Sequence, residues 1–433
     1  MLALHLQSLE NNPGVYPVKE GQAYLQTDYW TIIKVLNLNR IYDDLNFVIS
    51  KYNEFNTLVN KNISYLRDFQ VTRLHVEYIR DITVQKYEQL VPQKRFKRGL
   101  FNPLGSLIKI ITGNLDYNDA VRYEKIISQL ANDQTTMSNK FTLISKMLDS
   151  FINTTEVLNQ NSVVLDERLK IVESMIKELV SKDNHLVYTT YIISLFNLFV
   201  SNFRTIFIKL GEIETALAFS KISILHQSII NSTELLQHLL LISQTENLIY
   251  TPSAENLVKL EETINIKSYI KQNQITFIME IPITDNITYN YYKLYSLPIF
   301  HKSENKTFSI IPKYPYLLAK GTKYLPIIKP CRSLAAGEQF LCKEYHQTLY
   351  PEITCIEQLL KFEDNVTQCE QRQIDIENVR IQRITSTSWI LFSKFRNTLT
   401  ETCNGDVNKY SIIGTYVMTL DEPCNVEFCH SCL

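Results

Sequence analysis

Glycine is scarce, with ten residues in a chain of 433. No G-x-G-x-x-G or G-x-x-x-x-G-K-[ST] loop occurs, so the backbone cradles that hold dinucleotides and nucleoside triphosphates are missing. Charge of one sign is not in excess. Lys and Arg number 44, Asp and Glu 45, which excludes the general basic field of a nucleic-acid binder. Cysteine is absent from residues 1–330. All eight (Cys331, Cys342, Cys355, Cys369, Cys403, Cys424, Cys429 and Cys432) fall in the last 103 residues. An even set confined to one region reads as a local disulfide framework in an oxidising compartment. No nucleophile–base pair is recognisable, so no enzymatic activity and no cofactor are expected. Long apolar runs are also few. One uncharged window, His185 to Phe203, holds two Thr, two Ser and two Asn and reads as a buried helix rather than a membrane span. Met1 to Asn12 has neither the basic start nor the apolar core of a signal peptide.

What is present is enough for a large core, since 45% of residues are apolar and 21% charged. Four regions separate. Residues 1–98 are mixed, β-rich from Val15 to Leu38 and helical from Asp43 to Leu90. Residues 99–119 are short and apolar. Residues 120–250 read as helix, because no proline occurs between Pro103 and Pro252 and Gly211 is the only glycine from Leu115 to Tyr250. Residues 264–433 carry β-branched and aromatic runs punctuated by proline, and all the cysteines. The expected class is α+β.

The most informative junction is Arg95-Phe96-Lys97-Arg98-Gly99. It fits Arg-x-Lys-Arg, the pattern cut by furin-type convertases, whose carboxylate-lined subsites pair with basic side chains. Directly after it, Gly99, Leu100, Phe101, Leu104, Leu107, Ile108, Ile111 and Leu115 form the apolar part of GLFNPLGSLIKIITGNLDYNDA. Freed by cleavage, that stretch is an amphipathic membrane-inserting peptide.

A heptad follows, with d positions at Leu130, Met137, Ile144, Phe151, Leu158, Leu165, Val172 and Leu179. With the a positions from Ile127 to Ile176, thirteen of sixteen seam residues are apolar, where composition alone gives about seven. This predicts a coiled coil over 127–179, about 80 Å long. Gln134, Thr155 and Ser162 interrupt the a row, so the seam is expected to form in only one state of the protein. Six Asn-x-Ser/Thr sequons begin at Asn62, Asn153, Asn231, Asn286, Asn305 and Asn365; composition alone predicts about five, so their number is not itself informative.

The cleavage motif with GLFNPLGSLIKIITGNLDYNDA resembles the cleavage site and fusion peptide of baculovirus fusion proteins and, more closely, the envelope proteins of insect errantiviruses, the gypsy-type endogenous retroviruses. The opening GVYPVKEGQAYLQTDYWTIIKVLNL is similar to the start of the mature amino-terminal fragment in that family. The resemblance implies a class I fusion glycoprotein ectodomain, similar to paramyxovirus fusion proteins. It implies a homotrimer, priming by a furin-like host protease, an unknown host receptor, target-membrane lipid as partner, and refolding through a coiled coil. It also implies passage through the secretory pathway to the cell surface or virion membrane. The sequence departs from the family in showing no signal peptide, no membrane anchor after Cys432, and no cysteine in residues 1–98 to link the two fragments. It therefore reads as an ectodomain or gene fragment. A host-domesticated envelope derivative that binds a receptor or interferes with infection is the alternative.

Two smaller readings complete the picture. Cys424-x4-Cys429-His430-x-Cys432 is a conceivable zinc set, but no second paired cluster accompanies it and disulfides are expected instead. Eight cysteines allow 105 pairings; sequence neighbours, Cys331 with Cys342 and Cys355 with Cys369, are guesses among them. His75, His185, His226 and His238 are candidates for low-pH triggers, and the sequence does not rank them.

Overall fold

The structure is a computed structural model describing residues 4–9, 14–62, 68–91, 115, 117–132, 141–144, 163–171, 174, 185–271, 273–321, 323–334, 337–343, 355–361, 369–376, 378–403, 406–420 and 424–428. It is mixed α and β, as expected, and divides into two compact units. One is Asp28–Ile283; the other combines Met1–Thr27 with Thr284–Leu433. This division differs from the four blocks of the sequence. Residues 1–27 of the amino-terminal fragment group with the carboxy-terminal β region, whereas its helices belong to the unit Asp28–Ile283.

In the unit Asp28–Ile283, strand β2 (Val15–Asn37) carries Thr31-Ile32-Ile33-Lys34-Val35-Leu36, nearly continuously buried. A strand buried on both faces reads as a run rather than an alternation. It leads directly into α1 (Leu38–Asn62), whose Ile41, Leu45, Val48, Tyr52, Phe55 and Val59 recur at three- and four-residue spacing and are all buried. Helix α2 (Asp68–Leu90) buries Phe69, Val76 and Tyr87. Helix α5 (His185–Lys221) is the longest, and its stretch Thr189–Lys221 is apolar enough to cross a membrane. In this fold its Ile192, Leu195, Phe196, Phe199, Phe203, Ile206 and Leu210 face is buried in the core shared with α1 and α2. Phe199 stands 5.4 Å from the Tyr52 ring and 5.6 Å from that of Phe55. The unit is completed by α3 (Tyr117–Asn132), β3 (Phe141–Ile144), α4 (described over 163–171), α6 (Ser232–Ile242), α7 (Leu257–Thr263) and β4 (Asn265–Lys271) paired antiparallel with the first part of β5 (Gln274–Ser296).

The other unit is built of β-sheet. Strand β1 (Leu4–Ser8) pairs with β15 (Asp406–Leu420), which pairs with β14 (Ser388–Cys403), and β14 is flanked by β13 (Val379–Arg383) and β16 (Cys424–Phe428). Strands β6 (Pro298–His301), β7 (Lys306–Ile310) and β12 (Gln371–Ile374) form a small second sheet. In a third, β8 (Tyr316–Lys320) and β9 (Lys323–Ile327) follow the later part of β5, and the hairpin β10 (Arg332–Leu334) and β11 (Gln339–Lys343) lies along β2, with β11 parallel to it. Gly21 of β2 has no room for a side chain there, because a Cβ would stand 2.7 Å from the Glu338 carbonyl.

Among the described residues, three disulfides staple this unit: Cys331–Cys342 across β10 and β11, Cys355–Cys369 from α8 (Cys355–Leu360) to the residues before β12, and Cys403–Cys424 between the ends of β14 and β16. The two neighbour pairs guessed from the sequence are both present. The third pair takes Cys424 out of the conceivable zinc set. Cys429 and Cys432 lie outside the described residues.

Candidate functional site

Arg95, Lys97, Arg98 and Gly99 lie outside the described residues, as do Leu100, Phe101, Leu104, Leu107, Ile108 and Ile111. Leu115, the last apolar residue of that segment, is described and is only 2% exposed. It packs with Ile33, Ala120, Tyr123, Tyr269 and Ile278. Burying one leucine contributes about 1.5–3 kcal/mol. Leu115 is thus fixed two residues before α3 begins.

Helix α3 is held in turn by charge. The Glu280 carboxylate accepts from the Tyr123 hydroxyl at 2.8 Å, the Asn265 amide at 2.7 Å and the Lys267 ammonium at 2.7 Å. Burial pushes the Glu280 carboxyl up, but Lys267 and the other donors outweigh it and hold the pKa below the usual carboxylate range. Burial, then the Glu280 charge, raises the Tyr123 hydroxyl, so it stays a donor. One residue on, Glu124 pairs with Lys271. These contacts join the first half of α3 to β4 and β5.

The heptad seam is not one continuous helix in this structure. Phe141 to Ile144, an a-to-d stretch of the expected coil, form β3, parallel to β2 with Phe141 opposite Thr31 and Ile144 opposite Lys34. Phe-Thr-Leu-Ile has strand-favouring side chains, and the edge of β2 offers unpaired backbone groups that a helix would not satisfy. Ile127 lies in α3, partly buried against the Leu115 cluster. Leu130 belongs to the same helix. Leu165 and Leu169 are helical and buried in the main helical core. Met137, Phe151, Leu158, Val172 and Leu179 lie outside the described residues.

Beside β3 sits a group that the sequence reading missed. Lys34 is a strand residue with a side chain only 3% exposed. Its ammonium donates to the Ile229 carbonyl at 2.9 Å and to Glu234 at 2.8 Å. Both acceptors lie at the start of α6, where the Asn231 side chain caps the helix by accepting from the Glu234 N–H. A buried ammonium is costly without such partners. The one cation inside TIIKVL was the available signal.

His238 lies one turn after Glu234. Burial pushes its pKa below the ordinary value near 6.5; Glu234 opposes this and Lys34 adds to it. As pH falls below about 6.5, the unfolded chain takes this proton before the folded one does. The stability His238 contributes is therefore present above that pH and is lost below it. Urea midpoints of the parent are expected to fall more steeply between pH 6.5 and 5 than those of His238→Gln; parallel curves would remove His238 from the acid response. Of the other candidates, His75 is exposed on α2, and His226 stacks on Phe219 at 5.0 Å while its Nδ1 accepts the Ser228 N–H. His185 begins α5.

Among the sequons, Asn231, Asn286 and Asn305 are exposed, Asn305 in a turn at φ +52°. Asn62 ends α1. Asn153 and Asn365 lie outside the described residues.

No curated protein matches this sequence. The family model of the baculovirus F protein matches residues 3–433. The chain belongs to that family of viral envelope fusion glycoproteins, membrane proteins of the virion or cell surface.

Proposed function

We propose that this chain drives fusion of a viral or retroelement envelope, of errantivirus type, with a host membrane. A furin-like protease cuts between Arg98 and Gly99. The freed fusion peptide, residues 99–119, enters the target lipid, and the 127–179 seam then zips into a three-stranded coil. The protein reaches the surface through the secretory pathway and acts as a homotrimer without enzymatic chemistry of its own, on a host receptor of unknown identity.

The observation that supports refolding is the placement of residues 141–144. Their heptad spacing suits a helical seam, yet they are held as a four-residue strand on the edge of β2. So short a parallel pairing is a small barrier to lose, while the apolar a and d rows gain a partner surface when the coil forms. The two packings of one sequence form the kind of bistable element that a triggered machine needs.

Locking the strand tests this. Thr31 and Phe141 are aligned partners, and Thr31 carries a buried hydroxyl with no hydrogen-bond partner, so cysteine there removes an unmet polar group. The double variant Thr31→Cys, Phe141→Cys, displayed on cells and oxidised, is expected to lose cell–cell fusion, and mild reduction should restore it. Thr31→Cys alone should fuse normally, and the reduced double variant should match Phe141→Cys alone, which lacks one seam side chain but is not locked. Undiminished fusion by a chain whose new disulfide is verified by peptide mapping would overturn the reading.

A further inference from the structure

We infer that the bulge of β14 is a second membrane-contact point, taking the anionic leaflet of a lipid bilayer. The inference rests on the reading above only in placing a membrane near the protein, and it concerns a surface separate from the fusion segment. Strands β14 and β15 pair in regular antiparallel register except at one place. Ser393 lies opposite Gly414 and Asn397 opposite Ile412, which leaves Lys394, Phe395 and Arg396 facing the single residue Ile413. Such a bulge re-aims side chains. Here the Ser393 hydroxyl donates to the Phe395 carbonyl at 2.7 Å and the Lys394 N–H to the Asn378 carbonyl at 2.9 Å, which fixes its shape. Gly414 holds the opposite side at φ +94°.

The result is an apolar knob in water. Phe395 is 55% exposed and Ile413 49%. Cations flank it. Lys394 stands 5.1 Å from the Phe300 ring and 5.4 Å from that of Phe395, and Arg396 is exposed. From Asn378 to Thr400 the sequence carries Arg380, Arg383, Lys394 and Arg396 and no Asp or Glu. Two apolar side chains are too few for a protein partner, which needs about 800 Å² from each side. They do suit a lipid interface, where an aromatic ring sits at headgroup level and each Lys or Arg near an anionic surface changes binding about fivefold.

The test uses the whole chain carrying Arg98→Ala, so that no new amino terminus is freed, floated with vesicles of phosphatidylcholine alone or with 30% phosphatidylserine. Flotation is expected to require phosphatidylserine and to fall by more than about 25-fold in Lys394→Glu, Arg396→Glu. The charge-matched control Lys320→Glu, Lys323→Glu, at exposed positions of the β8–β9 hairpin, should float like the parent. Intact Cys403–Cys424 pairing on peptide mapping shows that the variant sheet is folded. In a second measurement, Phe395→Trp should add fluorescence that brominated lipid quenches. Equal flotation of both double variants, binding indifferent to lipid charge, or an unquenched signal at position 395 would overturn the inference. So would loss of binding to an acidic protein surface without loss of lipid binding. Each outcome is independent of whether the cleaved protein fuses membranes.

Discussion

Arg98→Ala is expected to leave a single uncut chain and to reduce fusion to background. The convertase pocket that takes the last residue before the cut is lined by carboxylates, and alanine brings no cation to pair with them. Geometry makes the loss functional as well as chemical. Val91 packs against the helical core and Leu115 lies in its own apolar cluster. An uncut chain has no terminus between them to project. Amino-terminal sequencing of fragments secreted from convertase-competent insect cells checks the cut, and cell–cell fusion checks the consequence. Cutting of the variant at the same bond, or fusion by a verified uncut chain, would refute it. In the parent, denaturation without reductant should separate the two fragments, because residues 1–98 contain no thiol and every cysteine lies beyond residue 330.

Phe199→Ala is the variant expected to cost most in stability. Phe199 is fully buried, with the rings of Tyr52 and Phe55 against it. Removing a buried phenyl ring costs about 3–5 kcal/mol, from lost transfer energy and the cavity left behind. A protein with roughly 5–15 kcal/mol in hand loses a large share of it. Guanidinium unfolding followed by circular dichroism should show a lower midpoint with an unchanged slope. The same measurement tests whether α5 is a core helix, since Ile208→Ala, on its exposed side, should change the midpoint little. Similar losses at both positions would argue that the opposite face is also covered.

Much of this architecture was legible because it is local. The β-rich stretch Val15–Leu38 announces itself by β-branched density, and α1 by Leu45, Val48, Ile49 and Tyr52 at helical spacing. The two shortest disulfide loops follow sequence neighbours. What was not legible depends on distant partners. Phe141 to Ile144 satisfy the heptad and the strand pattern equally, and the open edge of β2 that decides between them lies more than a hundred residues earlier. Lys34 reads as an ordinary strand charge; its burial follows from Glu234, 200 residues away. Strand β1, from a stretch that only failed as a signal peptide, exists because β15 pairs with it.

Strand β2 has a consequence for the mature protein's lifetime. It lies before Arg98, yet β11 and β3, both after Gly99, are hydrogen-bonded along it. The proposed cut between Arg98 and Gly99 would make the molecule a complex of two polypeptides, and mass action would then govern what was an intramolecular fold. Its integrity should depend on dilution: concentrated on a particle surface, a departing amino-terminal piece is readily recaptured, whereas in dilute solution it is lost. A synthetic peptide of residues 14–62 added in excess should then act as a spare part, exchanging into cut protein and leaving uncut protein untouched.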